Sequence, residues 1–250
     1  AFQVRVLTHG TNYMSQTRRV EVVRPLGFGA ISEQVEFVLT SRETTTTATR
    51  GVLFVQEVPA PARKEFERGA ALIKKPEQQK AALASLNKAL EIFPQYYDAL
   101  ELLGTEYVKQ QQYEPAVPLL TKAVEINPRG QASWYALGVA QYNLKQSPAA
   151  LEALRRSVSL SPRSINSHLW LGIVLRLSGK LDEAETSLRA ADKLADSKLP
   201  DPHWQLALLL NQMKRYKEAA DQLELFLKVE PNARDTELIK KLIKRLREQG

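Results

Sequence analysis

The sequence has no cysteine, only two methionines and three histidines, and no long apolar run. Without cysteine there are no disulfides, no thiolate zinc sites and no cysteine nucleophile. A spanning helix needs about 20 consecutive apolar residues, so no membrane span is expected. The opening residues lack a basic stretch followed by an apolar core, which reads as no signal peptide. The start at Ala1 rather than Met reads as a processed or trimmed product. What remains is ordinary for a folded protein: 44% apolar and 25% charged residues in 250.

The net charge of +7 is spread thinly. Residues 1–60 carry six basic and five acidic side chains, residues 61–233 carry 23 and 20, and residues 234–250 carry six and three. A nucleic-acid binder concentrates its charge in a stripe interleaved with aromatics. The one candidate, Lys240, Lys241, Lys244, Arg245 and Arg247, shares a short helical stretch without an aromatic. It reads as a solvated helix face, and no nucleic acid is expected.

Groups for catalysis are sparse. Gly27-Phe28-Gly29 lacks the third glycine and following helix of a dinucleotide loop, and Ser178-Gly179-Lys180 has no upstream glycine at phosphate-loop spacing. Both read as turns. His168 and His203 occupy equivalent places, so they could approach one another, but the nearest acid in sequence, Asp201, lies on only one of the two helices. A packing role is expected, with no metal, cofactor or catalytic residue, and the chain is read as non-enzymatic. Bound metal after purification would revive an enzyme using that region.

The organising signal is a repeat. Leu103-Gly104, Leu137-Gly138 and Leu171-Gly172 are spaced by 34 residues, and alanines at Ala82, Ala116, Ala150, Ala184 and Ala219 keep nearly the same period. Prolines recur at Pro94, Pro128, Pro162 and Pro231, with Asp196 where a further one is due. Glycine inside a helix costs about 0.5–1 kcal/mol relative to alanine, so its recurrence needs a reason. On the first helix of a pair, Gly69, Gly104, Gly138 and Gly172 let the second helix approach closely. The alanines do the same from the other side, and a proline stops the second helix.

A unit of this length built from two antiparallel helices, with Trp134, Leu137-Gly138, Ala150 and Pro162 in its third copy, resembles the tetratricopeptide repeat. The likeness covers residues 62–233 in five copies: 62–96, 97–130, 131–164, 165–199 and 200–233. Ala207 replaces the glycine in the last. The resemblance implies a mainly α fold, a right-handed α-α superhelix (solenoid) of about five helical hairpins. Residues 234–250, with Leu238, Ile239, Leu242, Ile243 and Leu246, read as a capping helix. Pro115, Pro118 and Pro148 are expected in first turns of second helices.

Residues 1–58 switch to a period of two, as in Phe2, Val4 and Val6, or Val35, Phe37 and Leu39. They read as a small antiparallel β-domain with turns at 9–12 and 25–29 and a polar run at 41–50, joined by a linker at 59–61. This segment resembles the carboxypeptidase-regulatory-like β-sandwiches that precede such repeats in some exported bacterial proteins. With the missing Met and the absent cysteine, that likeness points to an exported or periplasmic bacterial protein.

The tetratricopeptide likeness also implies a concave groove lined by the first helices. By register, its positions are Glu101, Tyr135, Leu169 and Trp204; Thr105, Val139, Ile173 and Leu208; and Val108, Tyr142, Arg176 and Asn211. Members that clamp a partner's C-terminal carboxylate carry Lys and Asn at the first two places, and this chain has neither. The groove is instead apolar and aromatic, suited to an amphipathic helix or apolar segment of a protein or peptide partner. The alternative is a structural protein whose groove is filled by its own chain or by homo-oligomerisation.

Overall fold

The computed structural model describes residues 2–6, 16–20, 32–39 and 49–249. The turns expected at 9–12 and 25–29, with His9, and most of the polar run at 41–50 lie outside them. The chain divides into two compact units, residues 1–97 and 98–250.

In the first unit, β1 (Phe2–Val6) pairs antiparallel with β2 (Gln16–Val20), and β3 (Ser32–Leu39) with β4 (Thr49–Gln56). Among the described residues no ladder joins the two pairs, so the single β-domain expected for residues 1–58 is not seen there. Ala60 and Pro61, read as linker, open helix α1 (Ala60–Leu72) instead. Proline suits a first turn, where its missing N–H has no intrahelical partner anyway. After a short 3-10 turn, α2 (Gln79–Ile92) completes the first hairpin. The end of β4 is fastened to the chain that follows α2. The Gln56 amide donates to the Gln95 carbonyl at 2.6 Å and accepts the Tyr97 N–H at 3.0 Å. Phe54 meets the Tyr97 ring edge-on, with centroids 5.1 Å apart.

The second unit holds α3 (Tyr97–Lys109, from Asp98 onward), α4 (Tyr113–Ile126), α5 (Gln131–Asn143), α6 (Ser147–Leu160), α7 (Ile165–Leu177), α8 (Leu181–Leu194), α9 (Pro200–Gln212), α10 (Tyr216–Val229) and α11 (Thr236–Gln249). Each odd-numbered helix from α5 to α9 pairs with the next to form a hairpin, and successive hairpins pack on one another.

The glycine positions now have a steric reason. A Cβ built on Gly138 would lie 2.6 Å from Leu154 Cγ; on Gly172, 2.6 Å from Leu188 Cγ; on Gly104, 2.7 Å from Leu120 Cγ. In the first unit Gly69 stands the same way to Leu86, at 2.8 Å. All four leucines are fully buried, as are Ala82, Ala116, Ala150, Ala184 and Ala219. Leucine branch points therefore occupy the room that the glycines vacate.

The first helices of the second unit also share one ending. The N–H groups of Gln112, Gln146, Lys180 and Arg215 reach back to the carbonyls of Tyr107, Gln141, Leu175 and Leu210 at 2.8–2.9 Å. The residue before each donor is left-handed: Gln111 (φ 59°), Lys145 (64°), Gly179 (76°) and Lys214 (60°). This six-residue closure satisfies terminal carbonyls and favours glycine. Gly179 belongs to it and not to a phosphate loop, while Gln111, Lys145 and Lys214 adopt the same backbone at a steric cost.

Two expectations change. Pro118 lies inside α4, beyond its first turn, whereas Pro115 and Pro148 fall within first turns. Its missing N–H leaves a carbonyl near Glu114 unpaired, on an exposed helix surface where water can serve. In α11, Ile239 and Leu246 are buried in the common core and Leu242 and Ile243 pack against it, but Leu238 is 63% exposed. At 100° per residue, Leu238 lies roughly a quarter turn from the centre of that stripe.

Ion pairs join the second helices. Arg155 of α6 meets Glu183 of α8 at 2.5 Å, and Arg247 of α11 meets Asp221 and Glu224 of α10 at 2.6 and 3.0 Å. Arg215, just before α10, spans Glu185 of α8 at 2.5 Å and Glu218 at 2.6 Å. Burial pushes the Glu185 carboxyl up, but hydrogen bonds from Arg215 and Arg189 outweigh it and hold it below the usual range.

Gly138→Ala should destabilise the chain by about 1–3 kcal/mol through overpacking. Thermal melts of Gly138→Ala, Leu154→Ala and the double variant should show non-additive losses, because the added methyl enters the space the leucine leaves. A lowered carboxyl stabilises the fold at pH values above its unfolded value, about 4.3. That contribution is lost as pH falls through the folded value. Glu185→Gln should therefore cost about 1 kcal/mol at neutral pH, with wild type and variant converging in denaturant titrations only as pH falls below the lowered folded-state value.

Candidate functional site

The first helices α5, α7 and α9 bring a set of half-buried side chains together. Tyr142 of α5 meets Trp170 of α7 edge-on, with ring centroids 6.0 Å apart. Trp170 also neighbours Tyr135 on α5, two turns earlier; burial pushes the Tyr135 hydroxyl up, and the indole partly opposes it. Arg176 of α7 donates from Nη2 to Gln205 Oε1 of α9 at 3.4 Å, while its Nε is enclosed without a partner. Burial lowers the Arg176 guanidinium, and the nearby Tyr142 hydroxyl works against this. The sequence explains the assembly: residues seven apart on α5 share a face, and hairpins of one design place neighbouring first helices in register.

The other register positions fall differently. Leu169, Ile173 and Leu208 are half-buried, Asn211 is exposed, and Val139 is 6% exposed and enclosed. Trp204 leans on Phe226 of α10, with centroids 5.4 Å apart, so one ring face is already covered by the chain. Glu101 accepts a hydrogen bond from Ser133 Oγ at 2.5 Å, which ties α3 to α5. Register counting passed over Trp170 and Gln205.

His168 and His203 take structural places. Trp134 Nε1 donates to the carbonyl of Pro128 at 3.0 Å, six residues earlier. His168 Nε2 lies 3.0 Å from the Pro162 carbonyl, and His203 Nε2 lies 3.5 Å from that of Ser197, at the same spacing. A carbonyl only accepts, so the short His168 contact fixes the Nε2–H tautomer. Indole and imidazole thus serve as interchangeable ring N–H donors that fasten the preceding loop. His203 is fully buried, with Nδ1 3.0 Å from Gln222 Oε1 and Nε2 3.5 Å from Asp192 Oδ1. Asp192, not Asp201, is the acid beside it. Among the described residues, no group of three or more His, Asp or Glu side chains could hold a metal ion. No described helix is long and apolar enough to cross a membrane.

A second polar cluster was not legible in sequence. Ser157 of α6 and Ser167 of α7, both fully buried, lie 2.8 Å apart, and the Gln131 amide of α5 donates to each at 2.9 Å. It joins α5, α6 and α7.

Trp134→His keeps the ring N–H and should lose only the apolar packing of the indole against the core, about 1–2 kcal/mol. Trp134→Phe should lower stability by about 1 kcal/mol through loss of that bond, as read from paired thermal melts.

The comparisons agree with this architecture. The family model described as tetratricopeptide repeat matches residues 101–165. No curated protein sequence matches the chain. The structure is similar to YrrB, a TPR protein with an unusual peptide-binding site (24% identity, TM-score 0.62, covering 72% of this chain and 92% of that one). It is similar to TTC0263, a thermophilic TPR protein of Thermus thermophilus (27%, 0.54, 75% and 98%). It is also similar to residues 41 to the end of MamA from Desulfovibrio magneticus RS-1 (18%, 0.64, 72% and 100%). The family match lies outside residues 1–58, and the carboxypeptidase-regulatory-like character expected there is not supported. The tetratricopeptide-repeat model matches residues 101–165, and the mainly α hairpin architecture is similar to that of solved tetratricopeptide-repeat proteins.

Proposed function

We propose that this chain is a non-catalytic scaffold that binds a polypeptide partner across the face formed by α5, α7 and α9. The observation that carries this reading is the set Tyr135, Trp170, Tyr142 and Arg176, half-exposed on the neighbouring first helices α5 and α7. Aromatics and arginine are the residues that most often dominate binding energy, and a rigid stack of hairpins presents them without an ordering cost in the receptor. The peptide-binding site of YrrB, a protein of the same fold, supports the reading. Leu169, Ile173, Leu208 and Asn211 would extend the surface, with Trp204 contributing its uncovered side. An amphipathic helix or an extended apolar segment suits such a face.

The test is capture of partners from the source cell by immobilised wild type, by Tyr142→Ala/Trp170→Ala, and by Arg156→Ala, which alters an exposed residue of α6. Each replaced aromatic should weaken a captured partner by about 2 kcal/mol, roughly thirtyfold, while Arg156→Ala leaves capture intact. Circular dichroism establishes that the variants are folded. A wild-type mass that grows with concentration, and that the double variant abolishes, would instead assign the face to self-association.

A further inference from the structure

Of the second-unit arginines without a carboxylate partner among the described residues, Arg129, Arg156, Arg163, Arg234 and Arg245 are exposed, and Arg176 alone is partly buried. Arg155, Arg189, Arg215 and Arg247 each meet a carboxylate within 3.0 Å. Arg176 forms no ion pair among the described residues, and its sole acceptor there is Gln205 at 3.4 Å. Helices α5, α7 and α9 contain no other Lys or Arg, and the one acid among them, Asp201, lies in the first turn of α9. A guanidinium carries five N–H donors in a planar fork. Here one donor is enclosed with no partner and the group is partly stripped of water beside Tyr142. An arginine so placed is costly to the free protein and favours an incoming acceptor.

The fork fits a carboxylate with two parallel N–H···O bonds. A phosphate dianion carries more charge than this single cation neutralises. Apolar surface continues on both sides of Arg176, with Tyr142 and Trp170 on one and Leu208 of α9 on the other. The carboxylate therefore belongs to a side chain within a bound segment and not to its terminus.

We propose that the segment bound by this face carries an internal aspartate or glutamate, flanked by apolar residues, whose carboxylate pairs with Arg176. This rests on the reading of the face as a polypeptide-binding surface. Arg176 then selects acidic over neutral segments of equal apolar content, and Tyr142 and Trp170 shield the pair from water.

The probe is a random-sequence peptide library displayed on phage and selected on wild type, with survivors synthesised and measured by calorimetry. Selected peptides should share an internal Asp or Glu between apolar residues. Changing that residue to its amide should weaken binding by about tenfold to a hundredfold. Arg176→Gln should weaken the acidic peptide equally and leave its amide version unaffected, and Arg176→Glu should restore binding to a peptide with Lys at the acidic position. Melts control for folding. Peptides that need Tyr142 and Trp170 but carry no acid, or that bind Arg176→Gln as well as wild type, would overturn the role of Arg176 and leave the scaffold reading intact. If no selected peptide depends on Tyr142 and Trp170, both are overturned.

Discussion

In each hairpin that carries the glycine, the branch point of one leucine fills the space beside it. Leu154 against Gly138 and Leu188 against Gly172 leave no room for even a methyl group. This contact fixes how closely the two helices lie, and the small alanines Ala150 and Ala184 keep the facing helix from pushing back. The fifth hairpin makes do with Ala207. Helix spacing in turn fixes where the next hairpin docks. The neighbourhood of Tyr142, Trp170, Arg176 and Gln205 is thus a consequence of the glycine–leucine contacts made by the same helices.

The two layers divide the work. Second helices carry the charge, and their ion pairs tie α6 to α8, α8 to α10 and α10 to α11 at the surface. Such pairs contribute modestly each, but they leave the first helices α5, α7 and α9 almost uncharged. That leaves Arg176 among rings and aliphatic chains, where an ionic partner is worth more than it would be in water. The Gln131–Ser157–Ser167 cluster is satisfied by direction-dependent hydrogen bonds, which resist sliding of one hairpin over the next.

The repeat was legible because its markers are steric. Glycine, alanine and proline each answer a local backbone or packing demand, and those demands recur along the sequence. The equivalence of Trp134, His168 and His203 was legible as register, though not as shared hydrogen-bond donation, since indole and imidazole look unlike until their N–H groups meet the same carbonyl. The left-handed turns at Gln111, Lys145 and Lys214 were hidden because only Gly179 carries the residue type that announces them. At the candidate site, counting positions found Tyr135, Tyr142 and Arg176 but missed Trp170. Which flank of a helix a large side chain occupies depends on its neighbours, and those are set by packing across the stack. Pro118 and Leu238 were misplaced by a turn and by a quarter turn for the same reason: local pattern gives the helix, while its exact ends and rotation come from contacts.

The glycine–leucine contact joins residues only about half a repeat apart in sequence, and the docking of one hairpin on the next joins residues scarcely more distant. Little of the second unit waits on the meeting of remote segments. Structure can therefore start in any hairpin and spread outward, each finished hairpin serving as a template for its neighbour. The aromatic face, drawn from three hairpins, is complete only when three such steps have occurred, so it is among the last features to exist on folding and among the first lost when an end of the stack frays.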